Sequence, residues 1–421
     1  MNKICNFKFK RSNRNTINKI KYENATVTDP LDIASYFNSY FCNTGSDLSK
    51  LLPQGNYDFK SYLKDQLSQS FVCNSISFNE LFNTISSLNN KKSSSHDNIS
   101  NCLIKRCINE LMNPLLYLFN LSFEKGIFPS ELKMAKIIPL YKSGDSLLMQ
   151  NYRPISLLSP FGKILEKLMA SRLTDFLHKF NILHECQFGF RKKYSTMYAT
   201  LDMITMVESE IFNKNHVLGI FLDLKRAFET VNLDILLYKL QYYGVRGHIL
   251  NWFRSYLFNR NQYTCINDRN SSSLTTSCGV PQGSVLGPLL FLLYINDIFL
   301  TSTSGKINLF ADDTNIFIVA KNIQNLFTIV NKTINDIYKW TISNKLTINF
   351  DKTNYLIFKP KPKDILTINC NNLNISIGNS VLARVSTVKY LGLMIDEDLS
   401  WNQHVKHLVS KISSLIGIIY R

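Results

Sequence analysis

Lys306-Ile-Asn-Leu-Phe-Ala-Asp-Asp-Thr-Asn-Ile-Phe-Ile-Val-Ala320 sets two adjacent acids between two apolar runs. Lys306–Ala311 and Asn315–Ala320 each have the texture of a strand, so the stretch reads as a β-hairpin with Asp312 and Asp313 at its turn. Neighbouring side chains on a regular strand face opposite ways, and only a tight turn lets two consecutive carboxylates approach one ligand. A lone Asp-Asp is just as much at home in a solvated turn, so its meaning depends on the company it keeps.

That company comes from upstream. Val217-Leu-Gly-Ile-Phe-Leu222 is a nearly continuous apolar run ending at Asp223, the pattern of a buried strand that delivers an acid at its tip. Between the two acidic sites stands Gly279-Val-Pro-Gln-Gly-Ser-Val-Leu-Gly-Pro288, whose glycines allow close backbone approach to a ligand, followed by the buried-helix pattern Leu289–Ile295. A Gly/Pro turn capping a core helix would have the same texture. Three carboxylates at strand ends suit transfer of a phosphoryl-type group to a 3′-hydroxyl, because two divalent ions about 3.5–4 Å apart stabilise both the attacking and the leaving oxygen. Mg²⁺ accepts carboxylate oxygens together with substrate phosphates.

Outward from this centre the order is mixed α and β. Leu31, Ile33, Ala34, Phe37 and Phe41 predict a helix opened by Pro30, and Phe78–Leu88 and Ile99–Phe123 predict more, with an exposed loop over Asn89–Asn98. Lys136–Tyr141 predicts a strand, Lys142–Asp145 a turn and Phe161–Leu177 a long amphipathic helix, while Leu366–Ile395 predicts small antiparallel strands. Residues 1–30, basic and rich in asparagine, predict an unordered segment.

The 48 Lys and Arg against 31 Asp and Glu give a formal charge of +17, which draws polyanions and favours nucleic acid as partner. Nine cysteines, an odd number scattered without a C-x-x-C pair, read as reduced thiols in an intracellular protein rather than as a disulfide framework or a zinc site. The N-terminus lacks the apolar run of a secretory signal, and Val285–Ile295 is too short to span a membrane.

Taken in order, these motifs resemble the reverse transcriptase family, most closely the non-LTR retrotransposon enzymes of the jockey-like kind. Asn151-Tyr-Arg-Pro-Ile-Ser-Leu-Leu158 looks like the family's fingers segment, and Gln187-Phe-Gly-Phe-Arg191 with Ser195-Thr196 like its next block. The resemblance implies an α+β right-hand polymerase fold, with fingers at about 119–215, a palm of antiparallel sheet flanked by helices at about 216–395, and the start of a truncated thumb at 396–421. A basic segment (1–30) and a helical N-terminal extension (31–118) would precede the 119–395 reverse transcriptase domain. It implies that Asp223, Asp312 and Asp313, with the backbone carbonyl of Leu224, hold two Mg²⁺ ions, Mn²⁺ being the alternative. Phe228 falls where the family keeps an aromatic gate beneath the sugar, Gln282 and Gly283 where nucleotide and template are contacted, and Arg153 and Lys142 where the triphosphate is gripped. Within Asn344–Thr353, Lys352 matches a general acid toward pyrophosphate, with Lys345 as fallback. Lys389-Tyr-Leu-Gly392 resembles a primer-gripping hairpin through Tyr390, Leu391 and Gly392.

The implied activity is RNA-directed DNA synthesis, a nucleotidyl transfer with an RNA template, a DNA primer and dNTPs as partners. Departures exist. Glu229 follows Phe228 where Asp is commoner, no stretch before Pro30 is long enough for an endonuclease, and Arg421 falls one helix into the expected thumb. The alternative is a catalytically inactive nucleic-acid-binding remnant.

Overall fold

A computed structural model describes residues 17–419, apart from 24, 54, 56, 64, 91–93, 302–303 and 360–373. The chain divides into two units whose segments alternate along the sequence. The first gathers residues up to 51, 66–180 and 228–290; the second gathers 52–65, 181–227 and 291–421.

In the first unit, strand Ala135–Tyr141 pairs antiparallel with Tyr152–Leu158 and parallel with Arg260–Ile266. Helix Pro30–Lys50 starts under Asp29, whose carboxylate accepts from the Leu31 and Asp32 amides, with Pro30 where a missing N–H costs nothing. Of the positions the periodicity assigned to one apolar face, Ile33, Ala34, Phe37 and Phe41 are buried and share a core with Ala135, Ile137, Tyr152 and Leu158, while Leu31, in the first turn, is exposed. The unordered segment expected up to residue 30 is corrected from Ile17 onward. Ile17 and Ile20 enter this core, and Ile20–Tyr22 pairs with Ala25–Val27. Two buried isoleucines anchor a stretch whose average composition is polar; residues 1–16 lie outside the described ones. The helix expected over Ile99–Phe123 is two, Asn101–Arg106 and Ile108–Lys125, the second stopped by Gly126 at φ 67°.

The second unit centres on strand His216–Leu222, flanked by Asp313–Ala320 and Asn354–Phe358, both antiparallel to it. Gly305–Phe310 continues the sheet beyond Asp313–Ala320, and Ala383–Arg384 pairs parallel with Asn354–Phe358. From Val217 to Leu222 every residue is buried, which is why this run does not alternate. Helix Thr196–Phe212 lays Met203 and Val207 against Val217 and Phe221. Helix Ile323–Ser343, capped by Asn322, buries Leu326, Val330, Ile334, Ile337 and Trp340. Of the strands expected over Leu366–Ile395, the part to 373 lies outside the described residues. The remainder forms two short antiparallel hairpins, Ser376–Ile377 with Ser380–Val381 and Thr387–Tyr390 with Leu393–Asp396, while Ala383–Arg384 between them pairs parallel instead.

Helices and largely antiparallel sheets thus fit the expected α+β class. The cysteines among the described residues are all free thiols. No described helix is long and apolar enough to cross a membrane.

Candidate active site

The second unit assembles the acids by strand register. Thr314 lies opposite Leu222 and Phe310 opposite Asp313, so Asp223, one residue past the end of its strand, comes abreast of Asp313. Antiparallel neighbours at such a position stand about 4.5–5.5 Å apart at Cα. The hairpin turns through Ala311 and Asp312. Ala311 has φ 57°, the left-handed first central residue that a tight hairpin with right-twisted strands requires. The turn predicted from sequence is therefore present, with Asp312 in it and Asp313 already the first residue of the returning strand. Among the described residues no three His, Cys, Asp or Glu side chains are drawn together as a set gripping an ion. The backbone brings the three acids to one end of one sheet; it does not by itself converge their carboxylates.

Two segments brace that end. Gln187-Phe-Gly-Phe-Arg191 runs along the outer edge of Gly305–Phe310, with Phe188 N–H donating to the Leu309 carbonyl and Leu309 N–H to the Cys186 carbonyl, both at 2.8 Å. The buried Gln187 amide donates to the Leu292 carbonyl at 2.9 Å and to Asn296 Oδ1 at 3.0 Å. Gly189 then meets the acidic turn directly, for a Cβ there would stand 2.4 Å from the Ala311 amide nitrogen.

The other brace is Asn344–Thr353. Asn349 Nδ2 donates to Asp223 Oδ2 at 2.7 Å and its backbone N–H to the Asp223 carbonyl at 2.8 Å, while Asp223 N–H donates to the Thr353 hydroxyl at 3.2 Å. Leu224 and Ile348 face each other in this short ladder without exchanging bonds, since the flanking pairs carry them, and so the Leu224 carbonyl is not committed to it. Lys352 is exposed beside this clamp; Lys345, at φ 55°, is exposed at the segment's start. Tyr390 is 2% exposed and packs its ring 5.9 Å from that of Phe221. Burial pushes its phenol pKa up. Of the hairpin expected to grip a primer, Tyr390 therefore serves the core, and the turn Leu391-Gly392, both at positive φ, is the part left accessible.

The first unit gathers the other candidates around one loop. Val280 N–H donates to the Phe228 carbonyl at 2.9 Å and Gly279 N–H to the Val231 carbonyl at 2.8 Å. Farther along, Ser156 N–H donates to the Gln282 carbonyl at 2.8 Å, which fastens the loop to the strand that carries the exposed Arg153. Gly283 sits at φ 119°, and a Cβ there would lie 2.6 Å from the Ser156 carbonyl oxygen, so the close backbone approach read from the glycines is made to the protein's own strand. Lys142, just past Ala135–Tyr141, is exposed, with its N–H bonded to the Asn151 carbonyl at 2.9 Å.

Sequence reasoning missed Gly189 and Asn349 as site residues although it quoted the segments that hold them. Their partners, Ala311 and Asp223, are remote in the chain, and periodicity carries no information about such pairs.

With this geometry in hand, comparison with known proteins is direct. The profile of the reverse transcriptase (RNA-dependent DNA polymerase) family matches residues 140–395. The chain is 26% identical over 358 residues to the RNA-directed DNA polymerase from mobile element jockey of Drosophila melanogaster, covering 83% of this chain and 38% of that protein. It is 28% identical over 358 residues to the probable RNA-directed DNA polymerase from transposon BS of the same organism, covering 82% and 38%. It is also 32% identical over 235 residues to that of transposon X-element, covering 53% and 25%. The chain thus spans well under half the length of the curated relatives it matches. With the profile covering most of the chain and all three acids within it, the chain belongs to the reverse transcriptase family.

Proposed function

We propose that this chain performs RNA-directed DNA synthesis, as its relatives' names describe for them, and that it derives from a non-LTR retrotransposon. The primer 3′-oxygen attacks the α-phosphorus of a dNTP, the new phosphodiester bond forms, and the bond to pyrophosphate breaks. The observation that carries this reading is the register that sets Asp223 abreast of Asp313 with Asp312 in the adjoining turn.

Reverse transcriptases as a family work with divalent metal ions, and the donors here suit them: carboxylate oxygens plus the uncommitted Leu224 carbonyl, all hard oxygen ligands. Asp223, Asp312 and Asp313 with Leu224 would hold two Mg²⁺, which when bound stabilise charge on the attacking and leaving oxygens. The chain's own residues supply the rest. Arg153 and Lys142 bind the triphosphate, the guanidinium bidentately. Phe228 excludes a 2′-hydroxyl by bulk, a repulsive route to specificity. Gln282 and Gly283 contact nucleotide and template, Lys352 delivers a proton to pyrophosphate, and the turn Leu391-Gly392 bears on the primer end. The basic excess supports an RNA template and DNA primer as partners.

The test is primer extension by the purified chain on an RNA template. Wild type is expected to incorporate dNTPs in a Mg²⁺-dependent way, and Asp312→Ala to reduce this by on the order of 1,000-fold, as loss of a principal electrostatic group does, with its thermal unfolding unchanged. Equal synthesis by both proteins would refute the assignment. Template binding without elongation by wild type would support the non-catalytic reading instead.

A further inference from the structure

The loop that carries Gln282 and Gly283 ends on a buried carboxylate to which the functional reading gives no role. Glu166, on helix Pro160–Lys179, is 1% exposed. Its Oε2 accepts the amides of Val285 at 2.6 Å and Leu286 at 3.2 Å. These amides form the head of helix Leu286–Ile295, where unpaired N–H groups and the helix dipole favour negative charge. Ser284, 8% exposed, completes the head: its hydroxyl accepts from Gly287 N–H at 3.0 Å and donates to the Pro281 carbonyl at 2.8 Å. Opposite charge comes from Arg260, 4% exposed, whose Nη1 donates to the Tyr256 carbonyl and whose guanidinium lies 5.1 Å from the Tyr256 ring centre. Burial pushes the Glu166 carboxyl pKa up, while Arg260 and the two amides oppose that shift.

A buried acid can be merely a satisfied core group. Glu166 differs in what it holds. The Gln282 carbonyl is fixed by Ser156 N–H, Gly283 is walled by the Ser156 carbonyl, Ser284 N–H returns to Pro281, and the next two amides belong to Glu166. From residue 282 to 286 the backbone is thus tied at several points, and Glu166 is the anchor on the side where the loop becomes helix.

We propose that Glu166 is a positioning residue for nucleotide and template binding. It ties the loop's exit to the helix head and thereby keeps Gln282 and Gly283 in register with the strand bearing Arg153. This rests on the polymerase reading above.

Amide exchange over residues 284–287 and the KM and kcat for dNTP are measured on the full chain for wild type, Glu166→Ala and Glu166→Gln. The expected result for Glu166→Ala is faster exchange and a KM raised about tenfold with kcat within about threefold, the scale of losing charge-assisted hydrogen bonds. Glu166→Gln, which keeps an acceptor oxygen, is expected to fall between the two. Where Glu166→Ala does not fold, Glu166→Leu combined with Arg260→Met replaces both buried charged side chains by apolar groups of similar bulk and is expected to give the same KM rise. Unchanged exchange, or faster exchange with an unchanged KM, would overturn the proposal. A wild-type chain that incorporates nothing at any dNTP concentration refutes the polymerase reading itself, which separates the two failures.

Discussion

The acid end of the second unit's sheet and the Gln282 loop of the first unit solve the same problem by opposite means. The acids are placed by register: once His216–Leu222 and Asp313–Ala320 pair, Asp223 and Asp313 have no other position to take. Beyond the local bonds that Ser284 makes to Pro281 and Gly287, the loop is placed by remote stretches of chain. It is held by Phe228, Ser156 and Glu166, each from a different stretch of chain. Register is a cooperative property of many ladder bonds, so no single one decides it. A loop pinned at a few points depends on each of them, because each buried polar group left unpaired costs about 1–3 kcal/mol.

This contrast can be broken at Gly189. If register alone places the acids, Gly189→Ala is harmless. If the bracing segment also matters, the added methyl pushes on the Ala311 amide, where a Cβ would stand at 2.4 Å. We expect the second outcome: a destabilisation of about 1–3 kcal/mol, read by thermal unfolding, with synthesis reduced on the order of 100-fold, as a small misplacement of reacting groups allows. Gly247→Ala is the control, because a methyl added to that glycine would meet nothing within 4 Å, yet the residue sits at φ 61°; it is expected to cost about 1 kcal/mol from backbone strain alone.

Phe228→Val sharpens the loop side of the comparison. The Phe228 carbonyl, not its ring, ties it to Val280, so trimming the ring leaves that bond in place. Discrimination against ribonucleotides is expected to fall by about 10- to 100-fold with dNTP incorporation retained, measured by competing rNTP and dNTP on one template. Unchanged discrimination would assign the ring to packing.

The smallest expected effect is at Asn349. Its side chain holds Asp223 Oδ2 at 2.7 Å, and groups that orient a ligating carboxylate typically matter about tenfold or more in metal affinity. Asn349→Ala is expected to raise the Mg²⁺ concentration for half-maximal synthesis about tenfold. A parallel loss in Mn²⁺ titration without substrate would locate the effect in binding rather than turnover.

The two regions also explain what was legible in the sequence. The apolar run before Asp223 and the hairpin around Asp312-Asp313 announce themselves because strand burial leaves a pattern in consecutive residues. The helix Pro30–Lys50 was legible for the same reason, with Ile33, Ala34, Phe37 and Phe41 buried as the pattern asked, although Leu31 of the same pattern is exposed. What escaped was every pairing made across the chain: Gly189 with Ala311, Asn349 with Asp223, Glu166 with Val285 and Leu286. The order of residues 17–29 escaped for a related reason, since two isoleucines in a polar stretch reveal a docking surface only when the surface is known. Tyr390 was assigned to the primer from a motif, and its burial against Phe221 is likewise invisible in that motif.

The alternation of the two units along the chain has a consequence for synthesis in the cell. The polypeptide passes from one unit to the other after residues 51, 65, 180, 227 and 290. Domains usually fold one after another as they leave the ribosome, but here the first unit is not complete until residue 290 has emerged. By then the second unit's central strand, His216–Leu222, has been made without its partner Asp313–Ala320. A largely apolar strand waiting for its neighbour is a point of aggregation risk, so nascent chains halted between residues 222 and 313 are expected to be the species most dependent on chaperones.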